Sequence, residues 1–592
     1  MTKNQLVRAA VFCVSLLGLA TGCGDRPSAP AAPLATPADL ATHTNEFRRV
    51  IETVRPGVWV AIGYGLANSI LIEGDDGLIV IDTMASMESG RQVAREFRAL
   101  TDKPLRAIIY THNHADHVFG AQAFIEELAV DDFPVEVYAH ETTEALVYRM
   151  VNVFRPILTA RSFRMFGTHL DEAGLVNAGI GKQLEVRSDS AFGFVPPTQT
   201  FSDQLKIATA GISLQLIHAP GETDDQLFAW FPEMGLLTPG DNLYKTFPNL
   251  YTIRGTPYRS LKDWSRSLDR MRALPVEFLV PSHTRPVTGA KAINRTLTDY
   301  RDAISFVHDQ TIRRINQGMT PDQIVQTVRL PEHLAQSPFL KEFYGTVAWS
   351  ARSVMTGNLG WFDGNPATLQ PLSPTARAGQ MASLAGGLVP LRDAAVAALQ
   401  AGDTQWALEL SDYLLTLDRD DQTAIDLRVA ALEQLGGKAS NPNARHYYLS
   451  SALEFRDGLR FEPLNKPTDE MLTTIPLSNL FEALPVNLRA EACLDKHQRV
   501  GFSFNDNPEH WTIVIRRGIA EVMPELADDL DIQVRSDSLA FKKLLAGTGQ
   551  PLATLLLDFD FPVGNSIQFA SFMNLFRAGN SAPEPAPLAA PP

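Results

Sequence analysis

The stretch Thr111-His112-Asn113-His114-Ala115-Asp116-His117 packs three imidazoles and a carboxylate into six consecutive positions, in a chain of 592 residues with 13 His in all. Neutral imidazoles and ionised carboxylates are the donors a divalent metal needs, so the chemistry to expect is metal-assisted. On an extended chain, residues 112 and 114 point the same way. A turn at 115 lets Asp116 and His117 face a second point close by, so one loop can serve two ions. Further donors close other apolar runs: Asp82 after 78–81, Glu222 in Pro220-Gly221-Glu222, Asp241 in Pro239-Gly240-Asp241, and His283 in Pro281-Ser282-His283. Oxygen and imidazole donors suit Zn²⁺, and no Cys lies near any of these segments, which argues against a thiolate structural site. Two ions about 3.5–4 Å apart can share a water whose pKa falls towards about 7, making a hydroxide available at neutral pH.

Such donors must be held by elements that end at one place. The apolar run 105–110 has strand length and leads into the His loop and a helix over 118–129. The pattern then predicts a strand over 212–218, a hairpin over 226–231 and 236–237, a helix over 260–274 and a strand over 277–280. Each strand ends by delivering an acid or a His. His140 and His218 also end strands and are read as structural, hydrogen-bonded residues.

In the order and spacing of HxHxDH, the residue after PG, the acid after a second PG and the His after PS, the chain resembles the metallo-β-lactamase superfamily. That resemblance implies an α/β fold, an αββα sandwich with the metals at one edge, and a supporting role for Asp82. Glu222, where most members have His, resembles the alkylsulfatase branch. So do the segment Asn249 to Gly255 with Arg259, and Leu359-Gly360-Trp361-Phe362-Asp363-Gly364-Asn365-Pro366. The likeness covers roughly residues 45–577. It implies one ion on His112, His114 and Glu222, a second on Asp116, His117 and His283, and Asp241 as the bridge. Asp116 and Asp241 are the catalytic carboxylates of this reading. Asn249, Arg254 and Arg259 are its sulfate readers, a guanidinium offering a planar fork for two anion oxygens. Tyr244 and Lys245 follow the bridging acid and merit a test. An extra negative charge at Glu222 is expected to raise the basicity of the hydroxide. Asp241 itself departs from the branch, in which Glu is usual at the bridge, and the loop 221–225 is shorter than usual. The activity so implied is hydrolysis of sulfate esters of amphiphilic alcohols. Phosphodiester or lactone hydrolysis is the alternative, and a lipid-anchored binding protein with a relic site is disfavoured by the complete donor set.

Lys3 and Arg8 precede the apolar run 9–20 and Thr21-Gly22-Cys23, which reads as an export signal over 1–22 with Cys23 as a lipidated first residue at the cell envelope. Residues 23–44 read as a Pro/Ala-rich tether and 578–592 as a disordered tail. With Cys13 in the signal and Cys23 under lipid, Cys493 is left alone and no intrachain disulfide can form. The net charge of −15, without a long basic run, excludes nucleic acid as an expected partner. After a catalytic domain over 45–300, helical periodicity at 388–401, 404–417 and 421–435 suggests hairpins in a domain over 301–458, which the resemblance makes a dimerisation domain. Residues 459–577, with strands at 500–504, 511–516 and 553–559 and a helix at 538–545, resemble a sterol-carrier-type α+β domain. Its late apolar stripe, Phe569, Phe572, Met573, Leu575 and Phe576, is read as core packing.

Overall fold

The computed structural model describes residues 34–130, 133–187, 189–459, 469–547 and 558–576. The expected signal, Cys23 and the tail 578–592 lie outside them.

Two sheets stack face to face. In the first, seven strands follow chain order from Val50–Arg55 to Gln199–Phe201; the first four are antiparallel, and Leu78–Ile81, Leu105–Ile109, Glu136–His140 and Gln199–Phe201 are parallel. The second runs in the order Val287–Thr288, Phe278–Leu279, Leu236–Thr238, Leu227–Phe231, Ile212–His218, Gln204–Thr209. Alternation within each strand splits the apolar residues between two layers. Ile79, Ile81, Ala107 and Ile109 face Leu214, Leu216, Leu227 and Phe231 between the sheets. Their neighbours Leu78, Val80, Leu105 and Ile108 pack on Val93, Phe97 and Phe124 of the helices Met87–Arg98 and Ala121–Leu128. On the far side, Phe228, Trp230, Leu237 and Leu279 meet Trp264, Leu268 and Met271 of Leu261–Arg272 and the long helix Ala290–Ile315. This is the expected αββα sandwich.

Several boundaries differ from the sequence reading. The helix expected over 118–129 is two, Ala115–Val118 and Ala121–Leu128, broken at Gly120. A Cβ there would lie 1.9 Å from Thr83 O, so the chain can turn against the 83–90 segment only with glycine. The boundary set at 300 falls inside Ala290–Ile315, whose Ile304 and Val307 share one core with Val347 and Val354. Nor is all of 23–44 a tether: Ala38–His43 is helical, Leu40, His43 and Phe47 are buried, and Arg445 and Asn177 donate to Ala35 O and Leu40 O.

Beyond the sandwich, Pro374–Ala385, Leu388–Ala401, Thr404–Leu417, Gln422–Lys438 and Pro442–Asp457 form a helix-hairpin array. Ala395, Ala407, Leu410 and Leu414 fill its core. The C-terminal domain is a five-stranded sheet, Ile519–Met523, His510–Arg516, His497–Phe504, Ile532–Ser536, Phe559–Val563. The strand expected over 553–559 lies mostly outside the described residues. Phe569, Phe572, Leu575 and Phe576 are buried with Phe502 and Phe541, so the late stripe is core.

Candidate metal centre and its cleft

Asp82, the His loop, Glu222, Asp241 and His283 all follow strands that end at one edge of the sandwich. Asp82 organises the loop from below. Its carboxylate accepts from Thr111 N and Thr111 Oγ1 at 2.9 Å each, from Ser282 Oγ at 2.6 Å and from His117 Nδ1 at 2.8 Å. The backbone there has φ +58°, a left-handed turn that aims the side chain back under the loop. His283 Nδ1 donates to Leu66 O at 2.8 Å, and His112 Nδ1 meets Thr111 Oγ1 at 3.0 Å. With the Nδ1 atoms so occupied, the Nε2 atoms of His112, His117 and His283 are the ones presented to the centre.

There, His117 Nε2 lies 3.5 Å from Asp116 Oδ2 and 3.6 Å from Asp241 Oδ2. His112 Nε2 is 3.7 Å, and His283 Nε2 3.2 Å, from the same Asp241 oxygen. Bonds of 2.0–2.2 Å in a tetrahedron require donor separations of roughly 3.3–3.6 Å, so these gaps have the size of a metal's coordination edges. Three donor groups lie within 4.8 Å internally: His112, His117 and Asp241; Asp116, His117 and His283; His114, Glu222 and Asp241. His117 Nε2 and Asp241 Oδ1 are buried without a hydrogen-bond partner among the described residues, which a cation between them would satisfy.

The protonation pattern follows from this crowding. Burial, then the charge of His117, holds His112 well below the ordinary imidazole range; burial and His112 do the same to His114. Burial opposes the charge on His117 too, but Asp116, Asp241 and Asp82 outweigh it and raise its pKa, as Asp241 does for His283. Against the same burial, His117 brings Asp116 down to about 2 and His283 holds Asp241 well below the usual carboxylate value.

The residues expected to read sulfate divide. Arg254 Nη2 lies 3.0 Å from His114 Nε2 and lines a cleft of about 470 Å³ at the centre's edge. Arg259 lines the same cleft but is 3% exposed, with Nη1 donating to Glu222 Oε1 at 2.5 Å and to Asn249 O. Its Nε and Nη2 have no partner among the described residues. Asn249 does not reach the cleft. Its amide, oriented as hydrogen bonding requires, donates to Tyr251 O at 2.9 Å and accepts from Arg259 Nη1 at 3.2 Å, so it braces Arg259 rather than facing a substrate. The extra charge of Glu222 is therefore offset by Arg259, and Tyr244 OH donates to it at 3.1 Å. Lys245 is turned away, paired with Glu46 at 2.6 Å. His140 and His218 stack on each other, centroids 4.0 Å apart, and bond Ser202 O and Asp224 O, a structural pair as expected.

The sequence reading did not find the rest of the cleft. Its walls are Leu146 and Met150 from Thr143–Asn152, Phe154, Ile157 and Leu158 at and within Arg155–Phe166, and Tyr258. Phe154 and Ile157 are 41% and 53% exposed, large apolar side chains left at the mouth. The cleft thus has one charged end and one apolar wall.

Comparison with known proteins agrees with the domain order. The metallo-beta-lactamase superfamily matches residues 62–283, and alkyl sulfatase dimerisation matches residues 320–458. A linear primary-alkylsulfatase of Pseudomonas sp. is 35% identical over 519 residues, covering 86% of this chain and 98% of that protein. An alkyl/aryl-sulfatase of Saccharomyces cerevisiae is 29% identical over 83% of this chain and 77% of its own length. The solved structure of the stereoselective inverting sec-alkylsulfatase Pisa1 from Pseudomonas sp. superimposes with a TM-score of 0.85 at 25% identity, covering 94% of this chain and 88% of that one. With that identity along nearly the whole length of a curated relative, and a donor set built for metal at the sandwich edge, the chain belongs to the alkylsulfatase family of the metallo-β-lactamase superfamily, the sulfuric ester hydrolases.

Proposed function

We propose that the protein hydrolyses sulfate esters of amphiphilic alkyl alcohols at a centre holding two zinc ions. The observation that carries this is the two-ended cleft, with His114, Glu222, Arg254 and Arg259 at one end and Leu146, Met150, Phe154, Leu158 and Tyr258 along its wall. One ion would be held by His112, His114 and Glu222 and the other by Asp116, His117 and His283, with Asp241, which shares a close donor group with residues of each set, available to both. When bound, zinc would supply Lewis acidity and a water acidic enough to give hydroxide near neutral pH.

The chain's own groups do the rest. Arg254, at the charged end of the cleft, offers charge-assisted donors to the anion's oxygens, and Arg259 stands behind it, held on Glu222. Asp116, held low by His117 against its burial, is present as the carboxylate a metal ligand must be. The apolar wall takes the chain and excludes water from the charged end. Two further readings accompany this one. The exposed apolar side chains of the helical domain, Trp361 at 72% and Leu384 at 84% among them, support a homodimer. The sequence at 21–23 supports export and lipid anchorage through Cys23 to a membrane of the cell envelope.

The test is hydrolysis of matched alkyl sulfate, alkyl phosphodiester and lactone substrates by the zinc-loaded protein, with metal counted per chain. Two zinc ions and a preference for the alkyl sulfate are expected. Faster turnover of the phosphodiester or lactone would overturn the substrate class.

A further inference from the structure

Asp225 is buried and belongs to none of the donor groups at the metal centre. Its two carboxylate oxygens go in different directions. Oδ1 accepts from Asn113 Nδ2 at 2.5 Å, and Oδ2 accepts from Thr143 Oγ1 at 2.8 Å. Asn113 sits between His112 and His114 and lines the cleft. Thr143 opens the helix Thr143–Asn152, which contributes Leu146, Arg149 and Met150 to the cleft wall. Asp225 itself closes the loop that carries Glu222, and the next residues tie that loop to the His loop, with Leu227 N donating to Thr111 O at 2.9 Å. One side chain therefore joins the His loop, the Glu222 loop and the helix that walls the cleft.

We infer that Asp225 is a positioning residue that fixes the register between the alkyl-chain wall and the metal loop, and so sets how strongly chain length is felt at the reacting end. The inference rests on the amphiphilic-substrate reading above. A buried carboxylate held by neutral donors is costly unless each bond is needed in place. The opposite face of the same helix is already fixed, since Tyr148 OH donates to Thr474 O of the C-terminal domain at 3.0 Å. What Asp225 adds is the link from that helix to the centre.

The experiment compares wild type, Asp225→Ala, Asp225→Asn and Thr143→Val in the full chain. It reads the binding of butanesulfonate and decanesulfonate, which cannot be hydrolysed, and kcat and KM for the matching sulfates. Asp225→Ala is expected to narrow the decyl-to-butyl affinity ratio about tenfold, through KM for the long chain, with kcat for the butyl ester within about threefold of wild type. Asp225→Asn keeps an acceptor oxygen in the same shape and is expected to restore most of the ratio. Thr143→Val, which cuts the helix-side bond alone, is expected to narrow it as well; this variant also covers the case in which Asp225→Ala fails to fold. Equal losses for both chain lengths, with the ratio unchanged, would show a fold prop and overturn the inference. Hydrogen exchange without ligand separates the two readings. Asp225→Ala should raise exchange in 112–117 and 143–152 together, and a rise in one segment alone overturns the link. A wild type that hydrolyses no alkyl sulfate, while both segments still respond together, overturns the substrate class and leaves the link standing.

Discussion

Glu222 and Arg259 are 2.5 Å apart, and both side chains are almost wholly buried, so neither can be described without the other. From the sequence, Glu222 adds a negative charge to the centre, and Arg254 and Arg259 both read the anion. The geometry separates them. Removing one partner of a buried pair strands the other charge at about 3–5 kcal/mol, so Arg259→Ala is expected to lower the melting temperature and the zinc content along with the rate. Arg254 has weaker ties, to Gly255 O and His114 Nε2. Arg254→Ala should keep its metal and lose about 1.5–3 kcal/mol of transition-state binding, roughly tenfold to over a hundredfold in kcat/KM, and Lys should not restore it fully. Metal analysis beside kinetics decides this, and full zinc in Arg259→Ala would refute the division. The four histidines set a second expectation. His117 and His283 have raised pKa values, so their contribution to the metal-free fold is whole below about pH 6.5 and is lost as pH rises through the raised values. His112 and His114 are depressed, so theirs is whole above about pH 6.5 and lost as pH falls. Thermal unfolding in chelator should therefore peak near about pH 6.5, while zinc affinity rises steadily with pH because zinc must displace the protons on His117 and His283. A metal-free midpoint that climbs without a maximum to pH 9 would contradict the assignment.

At the level of elements, the centre depends on tight turns after strands. Gly240 has φ +58°, and a Cβ there would stand 2.1 Å from Gln226 Nε2 and 2.9 Å from Thr111 Cβ. Gly240→Ala should therefore push the Asp241 turn off the His loop, at about 1–3 kcal/mol of stability and with weaker zinc binding. Gly379, inside the helix Pro374–Ala385 with open space around it, gives the opposite sign: Gly379→Ala should stabilise by about 0.5–1 kcal/mol. Denaturant unfolding of the two variants tests both, and equal effects would show that the turn is not under steric control. The same contrast explains what could be read from the chain. Strand Ile212–His218 and helices Leu388–Ala401 and Thr404–Leu417 end where periodicity and breakers place them, because those signals are local. The donors were legible for the same reason, each standing beside its turn. The wall helices Thr143–Asn152 and Arg155–Phe166 were missed because their apolar residues are shared between core and cleft, which blurs a one-face pattern; the exposed pair Phe154 and Ile157 was the available hint. The brace that Asn249 gives Arg259 and the link that Asp225 makes to Asn113 are not legible in the sequence, because no spacing rule encodes such side-chain contacts.

Across the whole molecule, the catalytic sandwich is buttressed on several sides. Arg445, fully buried in Pro442–Asp457, donates to Ala35 O, Ala173 O, Gly174 O and Gly436 O, drawing the N-terminal segment, the catalytic domain and the helical array into one contact. Leu472 and Ile475 of the C-terminal region share the core behind the cleft helix. Among the described residues of the helical region, Leu359, Trp361, Leu369, Leu372, Leu384, Leu388, Val389 and Trp406 stay exposed. No single helix among the described residues is long and apolar enough to cross a membrane; the helices Pro374–Ala385 and Leu388–Ala401 are so only as a pair, across a bend of 85°, and exposed apolar side chains of this kind mark an interaction surface. These residues fall within the segment that matches alkyl sulfatase dimerisation, which supports the second copy proposed above as the occupant. Light scattering should give the mass of two chains for wild type. A charge buried in such an interface is strongly disfavoured, so the double substitution of Trp361→Asp and Leu384→Asp should give the mass of one. Neither residue lines the cleft or holds a donor, so zinc content should not change with the mass. A double variant that remains paired, or a wild type that is single at assay concentrations, would place the interface elsewhere on the chain.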